Sequence, residues 1–477
     1  MAITSLGIGS GLDSESIVTQ LVALKKEPIN ALATKASTIQ TKISTYGKIQ
    51  SAVSALQTAA QKLTNPSNWT STKATSSDSA ALSVATGSNA AGGNYNVQVN
   101  QLAATQSIVT NAARANSNAT VGSGTLTLQA GSWSGSVFTP KSGTLPATIN
   151  IAASDSLGTV RDKINAAGAG VTASIITDAN GARLVMQSTS TGATNGFQVT
   201  ADDDDTLDND ATGLSSLAYN PPATLGTTRT QSAANALATI NGVAVESSEN
   251  NLNEVVSGLS FTLNKVTTSP VTVSVAQDTE AIAKSISDFA TAYTSLATLL
   301  QENTKYDAGS KSAGVLQGDS TALSILNQFR SLMGAESGAS SVFSTLSAIG
   351  LETQSGGGLR VNNDKLNNAL KSNAAEVKKL FANTDVGNAS LSGMAVRINT
   401  LTSSMLGIGG VFATRTEGLK QSVKNNEMQQ SVLKDRASAY EKMLRAQYGA
   451  LDLKVAGLNS QGDYVSQMIN SFNYKKN

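Results

Sequence analysis

"TEAIAKSISDFATAYTSLATLL", residues 279–300, decides how this chain is organised. Ile282, Ile286, Phe289, Tyr293, Leu296 and Leu300 step by four and three without a miss, the spacing of one buried stripe on an α-helix. Just upstream the period is different. Leu259, Phe261 and Leu263, then Val271, Val273 and Val275, alternate with polar residues around a turn containing Ser269 and Pro270, which predicts a half-buried hairpin. Strand alternation is first met at Tyr95, Val97 and Val99. A β-rich stretch is therefore bracketed by helical sequence on both sides.

The upstream bracket carries Ile17, Leu21 and Leu24 and, after Pro28, a second series of Leu32, Ala36, Ile39, Ile43, Tyr46, Val53, Leu56, Ala60 and Leu63. Pro28 predicts a kink or a restart, and Asn65-Pro66 an end. Downstream, "GDSTALSILNQFRSLM" (318–333) and "NDKLNNALKSNAAEVKKLF" (363–381) predict two helices, with "GLETQSGGGLRV" (350–361) as a tight hairpin between them. A last seam runs Leu419, Val423, Asn426, Gln430, Leu433, Ala437, Tyr440, Leu444, Gln447, Leu451, Lys454 and Leu458. It predicts a helix of ~40 residues and ~60 Å, whose polar seam positions suit register-setting contacts. Two long amphipathic helices at opposite chain ends bury their seams on each other, and the chain between them loops out and returns.

The β-rich stretch has units of its own. "GTLTLQAG" (124–131) and "ATINIAA" (147–153) read as strands, residues 157–166 as a short helix, and "VTASIITDANGARLVMQS" (171–188) as a hairpin turned at Asp178-Ala179-Asn180-Gly181. Nested insertion accounts for this order.

The chain opens on "GIGSGLDSESIV" (7–18). The glycines do not follow the dinucleotide spacing, no strand precedes them and no Gly-Lys-Ser/Thr follows, so a phosphate loop is disfavoured. The local reading is a helix start: Asp13 caps the free amides, Glu15 sits in the positive first turn, and Leu12 and Ile17 are placed as a hydrophobic staple.

Composition narrows the chemistry. The 477 residues suggest about three domains, and a net charge of +1 with 14% charged residues shows neither the basic excess of a nucleic-acid binder nor the charge of a disordered chain. With no cysteine and no histidine, disulfides, thiolate zinc sites and imidazole acid–base chemistry are excluded, and with them most hydrolase mechanisms. The opening residues carry no basic n-region and no apolar stretch approaches a membrane span, which by itself predicts a soluble cytoplasmic protein. The acidic run "ADDDDTLDND" (201–210) fits a calcium loop poorly. Starting the template at Asp208 puts Gly213 sixth but Tyr219 twelfth, where a bidentate Glu belongs, so a solvated loop is favoured. Tyr46, Tyr293 and Tyr440 on helical seams read as core packing.

Four blocks carry a resemblance: "SLGIGSGLDSESIVTQLVALKKEPINAL" (5–32), "INAAGAGVTASIITDANGARLVMQSTSTG" (164–192), "INGVAVESSENNLNEVVSGLSFTL" (240–263), and "IGLETQSGGGLRVNNDKLNNAL" (349–370) with "VKKLF" (377–381). In this order they resemble the flagellar filament cap family, hook-associated protein 2 or FliD-type. The resemblance implies an extracellular, non-enzymatic protein without cofactors, exported unfolded by the flagellar type III route. It would form a small homo-oligomeric ring at the distal filament tip that retains flagellin and guides its insertion. Implied partners are further copies of itself, flagellin, the hook–filament junction proteins and an export chaperone, with no nucleic acid and no membrane insertion.

The implied fold is α+β and multidomain. Terminal coiled-coil-like helices (1–42 and 430–477) and a helical-bundle leg domain (43–75 and 279–429) bracket two nested β-rich head domains, an inner one (76–104 and 226–278) and an inserted outer one (105–225). The expected filament and subunit interface is the helical ends: Leu6, Ile8, Leu12, Ile17, Leu21, Leu24, Leu433, Tyr440, Leu444, Leu451 and Leu458. Only partly satisfied within one chain, these ends would order on assembly. Alternatives are a hook–filament junction protein, which should lack the block at 240–263, and a tip adhesin binding host glycans. A secreted hydrolase is disfavoured by the missing histidine.

Overall fold

Helix α1 (Ser14–Thr64) begins where Asp13 Oδ1 accepts the Ser16 amide at 3.1 Å, and it ends at Asn65. It continues through Pro28. Stepping back from Tyr46 by three and four gives Ile43, Ile39, Ala36, Leu32, Ile29, Lys25, Val22 and Val18, one register on both sides of the proline. Val18, Val22 and Ile29 are buried, while Ile17 and Leu24 are exposed. Of the kink or restart expected at Pro28 the restart does not occur, and the buried positions before it are Val18 and Val22, with Leu21 beside them, rather than Ile17 and Leu24. Pro28 lies on the exposed side, where water can substitute for its missing backbone donor. A single turn, α2 (Ser67–Thr70), then seats Trp69, whose Nε1 donates to the Leu63 carbonyl at 2.7 Å. The computed structural model describes residue 11 and residues 13–223, 226–309 and 311–474.

The strands that follow are β1 (Thr72–Ser76), β2 (Leu82–Thr86), β3 (Gly93–Gln101), β4 (Ser107–Thr110), β5 (Gly124–Ser134), β6 (Val137–Pro140) and β7 (Ala147–Ile151). After helix α3 (Leu157–Ala166) come β8 (Val171–Asp178), β9 (Gly181–Ser188), β10 (Gly196–Asp203), β11 (Thr227–Gln231), β12 (Ala236–Ile240), β13 (Val243–Ser247), β14 (Asn251–Val256), β15 (Leu259–Leu263) and β16 (Val271–Gln277). One sheet has the order β1-β16-β3-β12-β13 and another β14-β15-β2. Their inner faces share a core that includes Val97, Val99, Phe261, Leu263, Val271 and Val273. The expected 259–275 hairpin does not form: β15 pairs with β2 and β14, β16 with β1 and β3. The alternation was real, but the connection around Pro270 carries the chain from one sheet to the other instead of turning it back.

A second β core lies inside residues 108–219. It is built by β10-β5-β6, with β7 also on β5, by β11-β4-β9-β8, and by α3 through Leu157, Val160 and Ile164. The 171–188 hairpin forms as read, Asp178 opposite Gly181. Gly181 is required there, since it has φ +122° and a Cβ would meet the Arg114 carbonyl oxygen at 2.2 Å.

The chain then returns to helix. After α4 (Thr279–Thr304) a small β17–β18 ribbon (Tyr306–Asp307 with Ser312–Ala313) leads to α5 (Ser320–Gly334), the hairpin β19 (Leu351–Thr353) and β20 (Leu359–Val361), α6 (Asn363–Ala382), α7 (Met394–Leu406) and α8 (Val411–Tyr474). The six stripe residues of α4 are all buried, each stabilising the bundle by about 1.5–3 kcal/mol. Around them pack α1 from Tyr46 onward, α5, α6, α7 and the start of α8, with Phe381 edge-on to Phe289 at 6.0 Å. Contacts group the chain into two compact units, Met1–Trp69 with Thr279–Asn477, and Thr70–Asp278.

Candidate functional site

The predicted interface residues lie on α1 and α8. Leu6, Ile8 and Leu12 fall outside the described residues. The two helices are antiparallel neighbours, since Tyr46 lies beside Arg415 and Val18 beside Leu444. Within this pair Val18, Val22 and Leu444 are buried together, with Leu21, Tyr440 and Tyr448 packed around them. Leu433 is half-buried between Asn426 and Ala437, both buried. Asn426 Oδ1 accepts from Gln430 Nε2 at 2.7 Å, so a seam polar group finds its partner one turn away on the same helix.

Past Leu444 the expected seam departs from the structure. The inner face of α8 advances from Tyr440 to Leu444 to Tyr448, two steps of four, which leaves Gln447 exposed. Leu451 is 43% and Leu458 65% exposed, and Val465 and Ile469 continue the uncovered series. The described part of α1 ends near this level, at Ser14. The helix is also longer than expected, 64 residues.

Polar contacts staple the outer end of the pair. Arg445 donates from Nη1 and Nη2 to the two Glu15 oxygens, each at 2.7 Å, and from Nε to Glu441 at 3.1 Å. This two-pronged hydrogen bond holds the Glu15 carboxyl below the usual carboxylate range and raises Arg445 in turn. Lys25 Nζ sits 5.4 Å from the Tyr440 ring centre. Neither Arg445 nor Lys25 was visible as a contact in the sequence reading. Continuing the Tyr46 register back through Pro28 reaches Lys25 and Glu15, but nothing in it points to Arg445 on α8.

Nearer the bundle, Tyr46 Oη donates to Asp319 Oδ1 at 2.7 Å and Arg415 Nη2 to Asp319 Oδ2 at 2.6 Å. Burial pushes the Tyr46 hydroxyl up, and the Asp319 carboxylate adds to this, to about 12. Asp319 itself is raised by burial, but the hydrogen bonds from Tyr46, Arg415 and the Ala322 amide outweigh that and hold it below the usual carboxylate range.

The acidic run is largely the exposed loop expected, with Asp203 as the exception. Asp203 is buried, and its Oδ2 accepts the Leu214 and Ser215 amides at 2.6 and 2.9 Å and the Ser215 hydroxyl at 3.2 Å. Asp208 accepts the Asp203 amide, and Asp210 accepts from Thr212 and Ser215. Tyr219, the twelfth position of the calcium template, is buried and bridges backbone to Val199. These carboxylates face donors within their own loop, and no cluster of three possible metal ligands occurs among the described residues. Among the described residues no helix is long and apolar enough to cross a membrane.

Residues 10–106 match the family described as flagellar hook-associated protein 2 N-terminus, residues 233–460 its C-terminus, and residues 137–190 the flagellin hook IN motif. The chain is 33% identical over 479 residues to flagellar hook-associated protein 2 of Escherichia coli K12, covering 98% of each chain. It is 30% identical to the B-type protein of Pseudomonas aeruginosa, covering 94% of each. Its fold is similar to the crystal structure of the flagellar cap protein FliD D1-D2-D3 domains from Escherichia coli, with a TM-score of 0.56, 33% identity, and coverage of 79% of this chain and 99% of that one. The pattern of helical ends around nested β cores and these matches together place the chain in the flagellar hook-associated protein 2 family, a family of structural flagellar caps and not of enzymes.

Proposed function

We propose that this protein caps the distal end of a flagellar filament as a ring of identical copies, retaining exported flagellin and promoting its folding and insertion. The observation that carries this is the helical pair. α1 and α8 cover each other from Val18 to Leu444 and inward, yet α8 runs on with Leu451, Leu458, Val465 and Ile469 exposed. Such a surface suits assembly. Leu21, Leu433, Tyr440 and Leu444 hold the pair together, and Ile17, Leu24, Leu451 and Leu458 face outward toward a neighbouring copy or the filament. Leu6, Ile8 and Leu12 belong to the same interface.

Four separate apolar cores among the described residues support a reading as four domains, the terminal pair, the leg bundle, and an inner and an outer β-rich head; β1 (72–76) pairs within the inner head and β11 (227–231) within the outer one, so the boundaries expected at 76 and 226 shift by a strand each. Flagellin, the hook–filament junction proteins and an export chaperone are the partners this role requires, and the filament tip outside the cell is its location. Residues 240–263, expected to be missing from a junction protein, are present here as β13 to β15 with the end of β12. Gold-labelled antibody against the β-rich unit tests the placement: the cap reading predicts label at distal tips, and label at the hook end contradicts it.

A further inference from the structure

Three helices meet at one buried carboxylate. The Asp319 side chain is 1% exposed and caps α5 by accepting the Thr321 and Ala322 amides at 3.1 and 3.3 Å. Its other donors are Tyr46 from α1 and Arg415 from α8. The Arg415 guanidinium also lies 5.9 Å from the Tyr46 ring centre. A carboxylate this deep is tolerated only when its oxygens are filled, and here α1, α5 and α8 each contribute.

Packing differs on the two sides of this point. On one side, and reaching outward as far as Ile39 and Leu419, lies the large helical core, which takes α1 from Ile39 to Leu63 and α8 from Val411 to Leu419. On the other, the cluster around Val18, Val22 and Leu444 holds residues of α1 and α8 alone. Between the two clusters only Ile29 on α1 and Asn426 and Ala437 on α8 are buried, apart from Thr45 next to Tyr46. Ile39 and Ile43 are the last α1 side chains outward to touch the bundle core.

We infer that Asp319 marks the boundary between two cooperatively opening parts of the helical unit. The outer pair, residues 14–38 and 420–448, opens and closes as one unit while the bundle stays closed, and the Tyr46–Asp319–Arg415 contact at the outer part of the bundle stops the opening from spreading inward. The inference stands on packing and hydrogen bonding, and it holds whatever the outer pair does.

Hydrogen exchange read by mass spectrometry on the full chain tests it. In the wild type, peptides from 14–38 and 420–448 exchange together, about 100-fold or more faster than peptides from 49–63 and 282–300. In Asp319→Asn the boundary moves inward: peptides covering 46–53 and 411–419 exchange about tenfold faster or more, with 289–300 unchanged. If that variant does not fold, Tyr46→Phe keeps the ring, removes one hydrogen bond and produces the same displacement to a smaller extent. The inference is overturned by even protection along α1 from 14 to 64, or by exchange graded smoothly from the helix ends. It is also overturned if the substitutions speed α4 as much as α1 and α8, or leave the boundary in place.

Discussion

Asp203 and Asp319 each turn a carboxylate inward onto donors, and at this scale the sequence was least legible. Asp203 sits in a run of acids that reads as solvent-facing, because nothing in the run shows that Leu214 and Ser215 return their amides to it. Asp203→Ala leaves those two buried amides without a partner, while the Ser215 hydroxyl keeps Asp210. The substitution should destabilise the β-rich unit by about 3 kcal/mol, checked by urea denaturation, whereas the same change at exposed Asp204 should stay within ~0.5 kcal/mol. Tyr46 was legible as a buried seam residue, but its partner lies 273 positions away, beyond any local spacing rule. With Tyr46 at about 12 when folded and ~10 when unfolded, its neutral form is favoured in the folded state. The stability this gives is complete below pH ~10 and is lost as pH rises through about 12. The denaturation midpoint of the helical unit should therefore fall over that window, and Tyr46→Phe should flatten part of the fall.

Elements whose signal is local were readable: the α4 stripe, α3, the 171–188 hairpin and the β19–β20 hairpin all form where the period and turn residues place them. Elements whose partner is remote were not. The alternation of β15 and β16 showed two strands without showing that they belong to different sheets. Pro28 suggested a break because local propensity says so, but contact with α8 keeps α1 in one register, and packing of this kind overrides propensity. That register makes a direct prediction. Val18→Ala and Val22→Ala should each loosen the outer pair by ~1–2 kcal/mol, seen as faster exchange of amides at 14–29. Ile17→Ala and Leu24→Ala, one residue off the inner face, should leave it within ~0.5 kcal/mol. Equal effects at all four positions would mean that the inner face is not the one described.

For the whole molecule, the order helix, strand, helix made the nesting legible, and the structure places residues 70–278 in a compact unit of their own. A fragment spanning 70–278 should fold alone and melt cooperatively, since both of its apolar cores are built from its own residues. A fragment with no dispersed amide spectrum would contradict this. What composition could not show is the assembled state, because the exposed series on α8 acquires meaning only beside a neighbour. Assembly is also the central claim, and flagellin found in the medium reports on it. In a strain lacking this gene the cap reading predicts short or absent filaments and flagellin monomers shed into the medium, both reversed by restoring the full chain. Full-length filaments with no shed flagellin in the deletion strain would contradict it.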